Sequence, residues 1–317
     1  VIAVGLAVGG CLTAPPAVAV EQPSSPQSRA EPTVLLDGHL TARLPASARI
    51  VVPMHSVMGA PEPESERTEV FIEEMAGTDR PRFAMIVNEL FVRSSGDADA
   101  DARSIAAKGE RVEALPDAQL PIRVLAGDEP GKGTFLIAAV VTHPDGTLQE
   151  VEFHLDRRSA HRRAHFEGLA RDLLQTFEPG PRRLDAAPTE LELRHGLQVS
   201  VPEGYAATHK KGPDFDVFRM LKLVKVGEPG ATLGIYLGGH PTLQHDQADD
   251  PSARSEESGT LLARPVQWVR WTTEHGTTVK EAIAPVRDDL FVHVFAFAPE
   301  GTSMRSLDAV IATLRSP

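Results

Sequence analysis

Apolar and polar residues alternate along residues 40–44 and again along 197–201, each run closing on a proline, and this period of two predicts half-buried strands. Residues 83–92 and 290–297 carry apolar side chains on both faces, which predicts interior strands with both sides of a sheet covered. Residues 215–224 and 266–273 mix charge with bulk and predict outer, half-exposed strands. A period near that of a helix appears in residues 164–177, where Leu169, Leu173, Leu174 and Phe177 share a stripe, and in 303–314 through Leu307, Val310, Ile311 and Leu314. Residues 97–113 predict one more helix, through Ile105, Ala106, Gly109 and Val112. Residues 240–260 are polar and broken, and predict a long loop.

The pattern repeats. Pro45 and Pro202, which close the two alternating strands, lie 157 residues apart; Pro144 and Pro299 lie 155 apart. The latter two open Pro144-Asp145-Gly146-Thr147 and Pro299-Glu300-Gly301-Thr302, each after an apolar run, at 135–142 and 290–297. In such turns Pro presets φ and Gly supplies a positive φ. Each copy then ends on an amphipathic helix, the first carrying residues 148–155 as an added hairpin strand. The reading is an α+β chain of two tandem domains, each an antiparallel sheet covered by helices. The first takes residues 33–180 and the second 189–317, with a linker at 181–188, where Pro179-Gly180-Pro181 stops the first closing helix.

The N-terminal residues add an address. Residues 1–12 are uncharged and apolar, a run too short to span a bilayer and of the length of a secretory signal's apolar part. They lead through Gly9 and Gly10 to Cys11, the only cysteine, as in a lipobox, where the acylated thiol becomes the mature N-terminus. Ala17-Val18-Ala19 is a competing cleavage site that would release a soluble periplasmic or secreted protein. Residues 1–19 thus read as an export signal. Residues 20–32, rich in Pro, Ser, Gln and charge, read as a disordered tether. The protein expected is a membrane-anchored lipoprotein of the cell envelope, lipidated on Cys11, with a body free of disulfides. Its 317 residues, 41% hydrophobic and 24% charged, suffice for two packed cores. A net charge of −12 disfavours nucleic acid as a partner, and 5% aromatic residues gives no sign of a base- or sugar-stacking surface.

Candidate chemistry is sparse. His161 and His165 have the i, i+4 spacing by which a helix offers zinc two ligands, but Arg162 stands where a metalloprotease needs Glu, and Arg163 adds a second repelling charge. The segment reads as a solvated basic face. Arg157, Arg158, Arg162 and Arg163 oppose the helix macrodipole and suit an acidic partner, although Glu150, Glu152 and Asp156 could compensate locally. His240, His245 and Asp246 gather nitrogen and oxygen ligands in one loop, with Asp249 or Asp250 to brace an imidazole. A polar loop needs no metal to explain it. The leading reading therefore carries no cofactor, and the alternative carries one transition metal. Asp97, Asp99 and Asp101 imitate half a calcium loop but lack its Gly and closing Glu, and are explained as N-terminal charge and capping of a helix. Residues 127–134 resemble a phosphate loop with the wrong spacing, and read as a hairpin turn. No Gly-x-Ser-x-Gly elbow or nucleophile–His pairing supports covalent catalysis.

The strand exit Val199-Ser200-Val201-Pro202-Glu203-Gly204-Tyr205, the antiparallel strands and the closing helix from Leu307 to Leu314 together resemble the PsbP-like superfamily, which includes the DcrB-like and LpqN-like envelope lipoproteins. The likeness covers both copies in outline, although the first has Ala46-Ser47-Ala48 in place of the Glu-Gly-Tyr turn. It implies a sheet sandwiched by helices, in proteins that mostly bind or help assemble other components. No site residue carries over. The function expected is a non-enzymatic binding or assembly module, partnered by the membrane through its lipid anchor and by another envelope protein. The alternative is a metal-dependent hydrolase using the loop from His240 to Asp250.

Overall fold

A computed structural model describes residues 31–316 except 52–66, 79, 108–109, 127–134, 185–189, 213 and 246–253. Cys11, the Ala17–Ala19 cleavage site, most of the tether, the 127–134 turn, and Asp246, Asp249 and Asp250 lie outside the described residues.

The N-terminal half opens with a short hairpin, β1 (Thr33–Leu35) and β2 (Leu40–Ala42), and continues through β3 (Arg49–Val51), β4 (Arg67–Glu74) and β5 (Pro81–Arg93). Helix α1 (Ala98–Ile105) crosses over to β6 (Arg111–Ala114), β7 (Ile122–Ala126), β8 (Phe135–Thr142) and β9 (Thr147–Leu155). Helix α2 (Arg163–Gln175) and β10 (Glu178–Pro179) close it. The C-terminal half runs β11 (Leu191–Glu192), β12 (Gln198–Val199), β13 (Tyr205–Lys211), β14 (Phe215–Lys222), β15 (Val224–Lys225) and β16 (Thr232–Gly238), then β17 (Ser255–Leu261), β18 (Arg264–Thr272), β19 (Thr278–Arg287), β20 (Leu290–Ala298) and α3 (Met304–Ile311).

Two antiparallel sheets dominate, and they share one strand order. The first runs β3-β4-β5-β9-β8-β7-β6 and the second β13-β14-β16-β20-β19-β18-β17. Each half also returns its chain to its opening hairpin, through Glu178 against Thr41 and through Arg315 against Gln198. The correspondence relocates the repeated turns. Pro144-Asp145-Gly146 joins β8 to β9, whereas Pro299-Glu300-Gly301 follows β20, the counterpart of β9. Residues 148–155 are therefore not an added strand, and the true counterpart of the first turn is Asp288-Asp289 between β19 and β20.

The α+β expectation is wrong. Of the described residues 49% are in strands and 17% in helices, with three α-helices among them. At ~1.5 Å per residue the eight-residue α1 and α3 are about 12 Å long and the thirteen-residue α2 about 20 Å, whereas seven strands ~4.8 Å apart span about 29 Å. Such helices cannot cover these sheets. The predicted helix at 97–113 ends at Ile105, because Val112 belongs to edge strand β6, and the predicted loop at 240–260 contains most of β17. None of the helices among the described residues is long and apolar enough to cross a membrane.

Alternation decides what each face buries. Phe83, Met85 and Val87 of β5 meet Val151 and Phe153 of β9 and the α2 stripe Phe166, Ala170, Leu173 and Leu174. The opposite face packs Ala102 of α1 against Leu125, Ala138, Val140 and Leu148. The second sheet packs Leu233, Ile235, Val292 and Val294 against Leu307, Val310 and Ile311 of α3. A fourth cluster, Phe91, Leu184, Ala206 and Leu223, draws on both halves, and the two residues of β15 pair in parallel with Val92 and Arg93 of β5.

Candidate functional site

The densest polar cluster among the described residues lies at the end of the first sheet where the second half docks. Its first element is the turn between β1 and β2. Asp37 and Gly38 there have positive φ, and the chain then turns His39 inward, fully buried. Its second element is a bulge. The five residues of β5 from Glu89 to Arg93 oppose only three of β9, Gln149 to Thr147. This aims Glu89 at His39 and places Phe91 at a φ of 51°, a strained conformation for a bulky side chain. The third element is the β8–β9 turn, where Gly146 at φ 79° lets the chain reverse and present Asp145.

His39 bridges two carboxylates. Its Nδ1 donates to Glu89 Oε2 at 2.5 Å and its Nε2 to Asp145 Oδ2 at 3.0 Å. Asp145 is the hub. Its Oδ1 accepts from Thr147 Oγ1 at 2.6 Å, Thr147 N at 3.0 Å and His143 Nδ1 at 2.9 Å, while Oδ2 also accepts from Leu184 N at 3.0 Å. The Arg183 guanidinium stands 3.9 Å away. Burial pulls the His39 imidazole down, but its bonds to Asp145 and Glu89 outweigh this and raise it to about 9. Burial pushes the Asp145 carboxyl up, and the bonds from His143, His39, Thr147 and Leu184 reverse that and hold it far below the usual carboxylate range. For Glu89 burial prevails over its bond to His39, and the carboxyl is raised.

His39, His143 and Asp145 place ligand atoms within 4.8 Å of one another, the grouping a metal would need. The bonding pattern fits a proton better. The two ring nitrogens of His39 face different carboxylates, so one cation cannot replace both contacts, and five donors already occupy the oxygens of Asp145. Chemically this is a buried imidazolium between two carboxylates, and Asp145 ties it to the segment joining the halves. Gly180 completes the closure. Its N donates to His39 O at 2.9 Å, and a Cβ there would fall 2.1 Å from Gly38 O.

Among the described residues nothing closes the equivalent end of the second sheet. Here the turn at Arg194–Gly196 faces Asp288-Asp289 across a cavity of about 380 Å³, also lined by His195, Asp214 and Arg287. Arg194 donates to Asp216 at 3.1 Å. Burial and then the charges of Arg287 and Arg194 lower the His195 imidazole.

The residues singled out from sequence fall elsewhere. His240 is exposed, while His245 packs edge-on to Trp271 and its backbone N donates to Glu281 at 2.8 Å. Buried Glu281 also accepts from Gln244 N at 2.7 Å and His293 Nε2 at 2.9 Å, so it fastens the start of the predicted metal loop to the sheet. Arg157 and Arg158 are exposed in a turn capped by Asp156. Arg162 lies over Phe166 and 3.8 Å from Glu73, and Arg163 pairs with Glu167 at 2.6 Å, so half of the proposed basic face has acidic company within the chain. His161 lies in the same turn and His165 in α2, so the two do not share one helix. Asp97 caps α1 by accepting from Asp99 N and Ala100 N. Sequence reasoning missed His39, Glu89, Asp145, Glu281 and His293.

No family model and no curated protein matches this chain. Among solved structures it is similar to the di-domain ARO/CYC BexL from the BE-7585A biosynthetic pathway, at 10% identity over 78% of this chain and 80% of that one. The TM-score of 0.12 is too low for that likeness to carry an argument about fold or function.

Proposed function

We propose that this chain is a non-enzymatic assembly module of the cell envelope, exported and anchored through acylated Cys11. One observation carries the reading: among the described residues, the same end of two like-ordered sheets is closed by the chain itself in the N-terminal half and left open in the C-terminal half. The closed end demonstrates a mode of docking. A turn carboxylate takes a backbone N–H of the incoming segment, a strand end gains a two-residue parallel partner, and a small apolar cluster seals the contact. The open end offers Asp288 and Asp289 in the same turn, both exposed.

A photo-crosslinking residue at Asp289, introduced in the producing cell, tests this. An adduct of discrete mass is expected there, with none from the same group at His275, which is 84% exposed on another turn. No adduct at Asp289, or equal labelling at both positions, would sink the reading.

A further inference from the structure

We propose that the open end of the C-terminal half receives the β3 edge of a second copy of this chain, so that copies join head to tail. The inference rests on the assembly reading above and names its partner. Within one chain the docked element is the β13 side of the second sheet: Ala206 of β13, with Leu223 just after β14, packs on Phe91 and Leu184. By strand order the counterpart of β13 is β3, the edge of the first sheet. Ala206 is buried, yet Ile50 of β3 is 45% exposed. Ile50 and Val34 are the large apolar side chains left exposed among the described residues, and both stand on edge strands of the N-terminal half. Among the described residues the chain thus displays a donor edge at one end and an unfilled receptor at the other.

Charge supports the match. Arg49, beside Ile50, pairs with Glu74 at 2.6 Å and remains half exposed. In the internal contact Arg183 approaches the turn carboxylate of Asp145, and between copies Arg49 would approach Asp288 and Asp289 in the same way, leaving Glu74 to Arg287. Such a contact uses two different surfaces. It is heterologous and grows into chains or rings instead of stopping at a symmetric dimer.

Sedimentation of the purified full chain over a wide concentration range tests the proposal. Wild type should gain mass with concentration, whereas Ile50→Glu and Asp289→Arg should each weaken association at least tenfold. Both positions are exposed, so unchanged circular dichroism is expected and is checked. The deciding step is mixing. Each variant keeps the end that the other lost, so an equimolar mixture should form a one-to-one dimer and no larger species. Monomeric wild type at every concentration, or a mixture that stays monomeric while wild type assembles, overturns the proposal. An Asp289 crosslink containing a different protein overturns it too but leaves the assembly reading standing, whereas the absence of any crosslink removes that reading itself.

Discussion

Asp145→Asn is expected to lose about 3–5 kcal/mol of unfolding free energy, the usual cost of removing one member of a buried charged pair. The substitution preserves shape but turns a charged acceptor of five donors into a neutral amide, one of whose faces is itself a donor. His39 then keeps Glu89 as its one acidic partner, and Leu184 N is left buried beside an atom that cannot take its proton. Urea denaturation at neutral pH reads the effect. A loss below about 1 kcal/mol, the scale of an exposed ion pair, would mean that Asp145 is not the hub.

The second large effect is in pH. The folded His39 titrates at about 9 against 6.5 for an ordinary histidine, so its stabilising contribution is complete below 6.5 and is lost as pH climbs through 9. The shift corresponds to on the order of 3 kcal/mol. Glu89, whose carboxyl burial raises, adds a loss of the same sign as pH rises. Wild-type stability should therefore fall across the mildly alkaline range, and His39→Gln should start lower and fall less there. Parallel curves for the two proteins would place the titrating group elsewhere.

Much of the strand content was legible in the sequence, because alternation over 40–44 and 197–201 and the double-faced apolar runs at 83–92 and 290–297 are direct consequences of half-buried and interior strands. The helix proportion was misread. Residues 97–113 keep a helical spacing of apolar side chains, yet Val112 is needed at a sheet edge, and tertiary pairing overrode the local period. The turn match was misplaced by one hairpin, since a Pro-acid-Gly turn is dictated by local φ preferences and serves β8–β9 and β20–α3 equally well. The buried network did leave a trace: Glu89 and His293 are ionisable residues inside otherwise apolar runs, and a charge there needs a buried partner. The partners were not legible, because His39 and Glu89 are 50 residues apart and His39 and Asp145 are 106 apart. Only the fold brings them together.

Hydrogen exchange at the Leu184 amide tests most directly the claim that a buried carboxylate fastens the two halves. This proton is held by Asp145 and by no secondary-structure ladder, in a segment that sequence alone marks as a linker. Exchange is expected only through global opening, with the protection of the Val151 and Phe153 amides of the first core. Exchange at the rate of an open loop, with those core amides still protected, would contradict it.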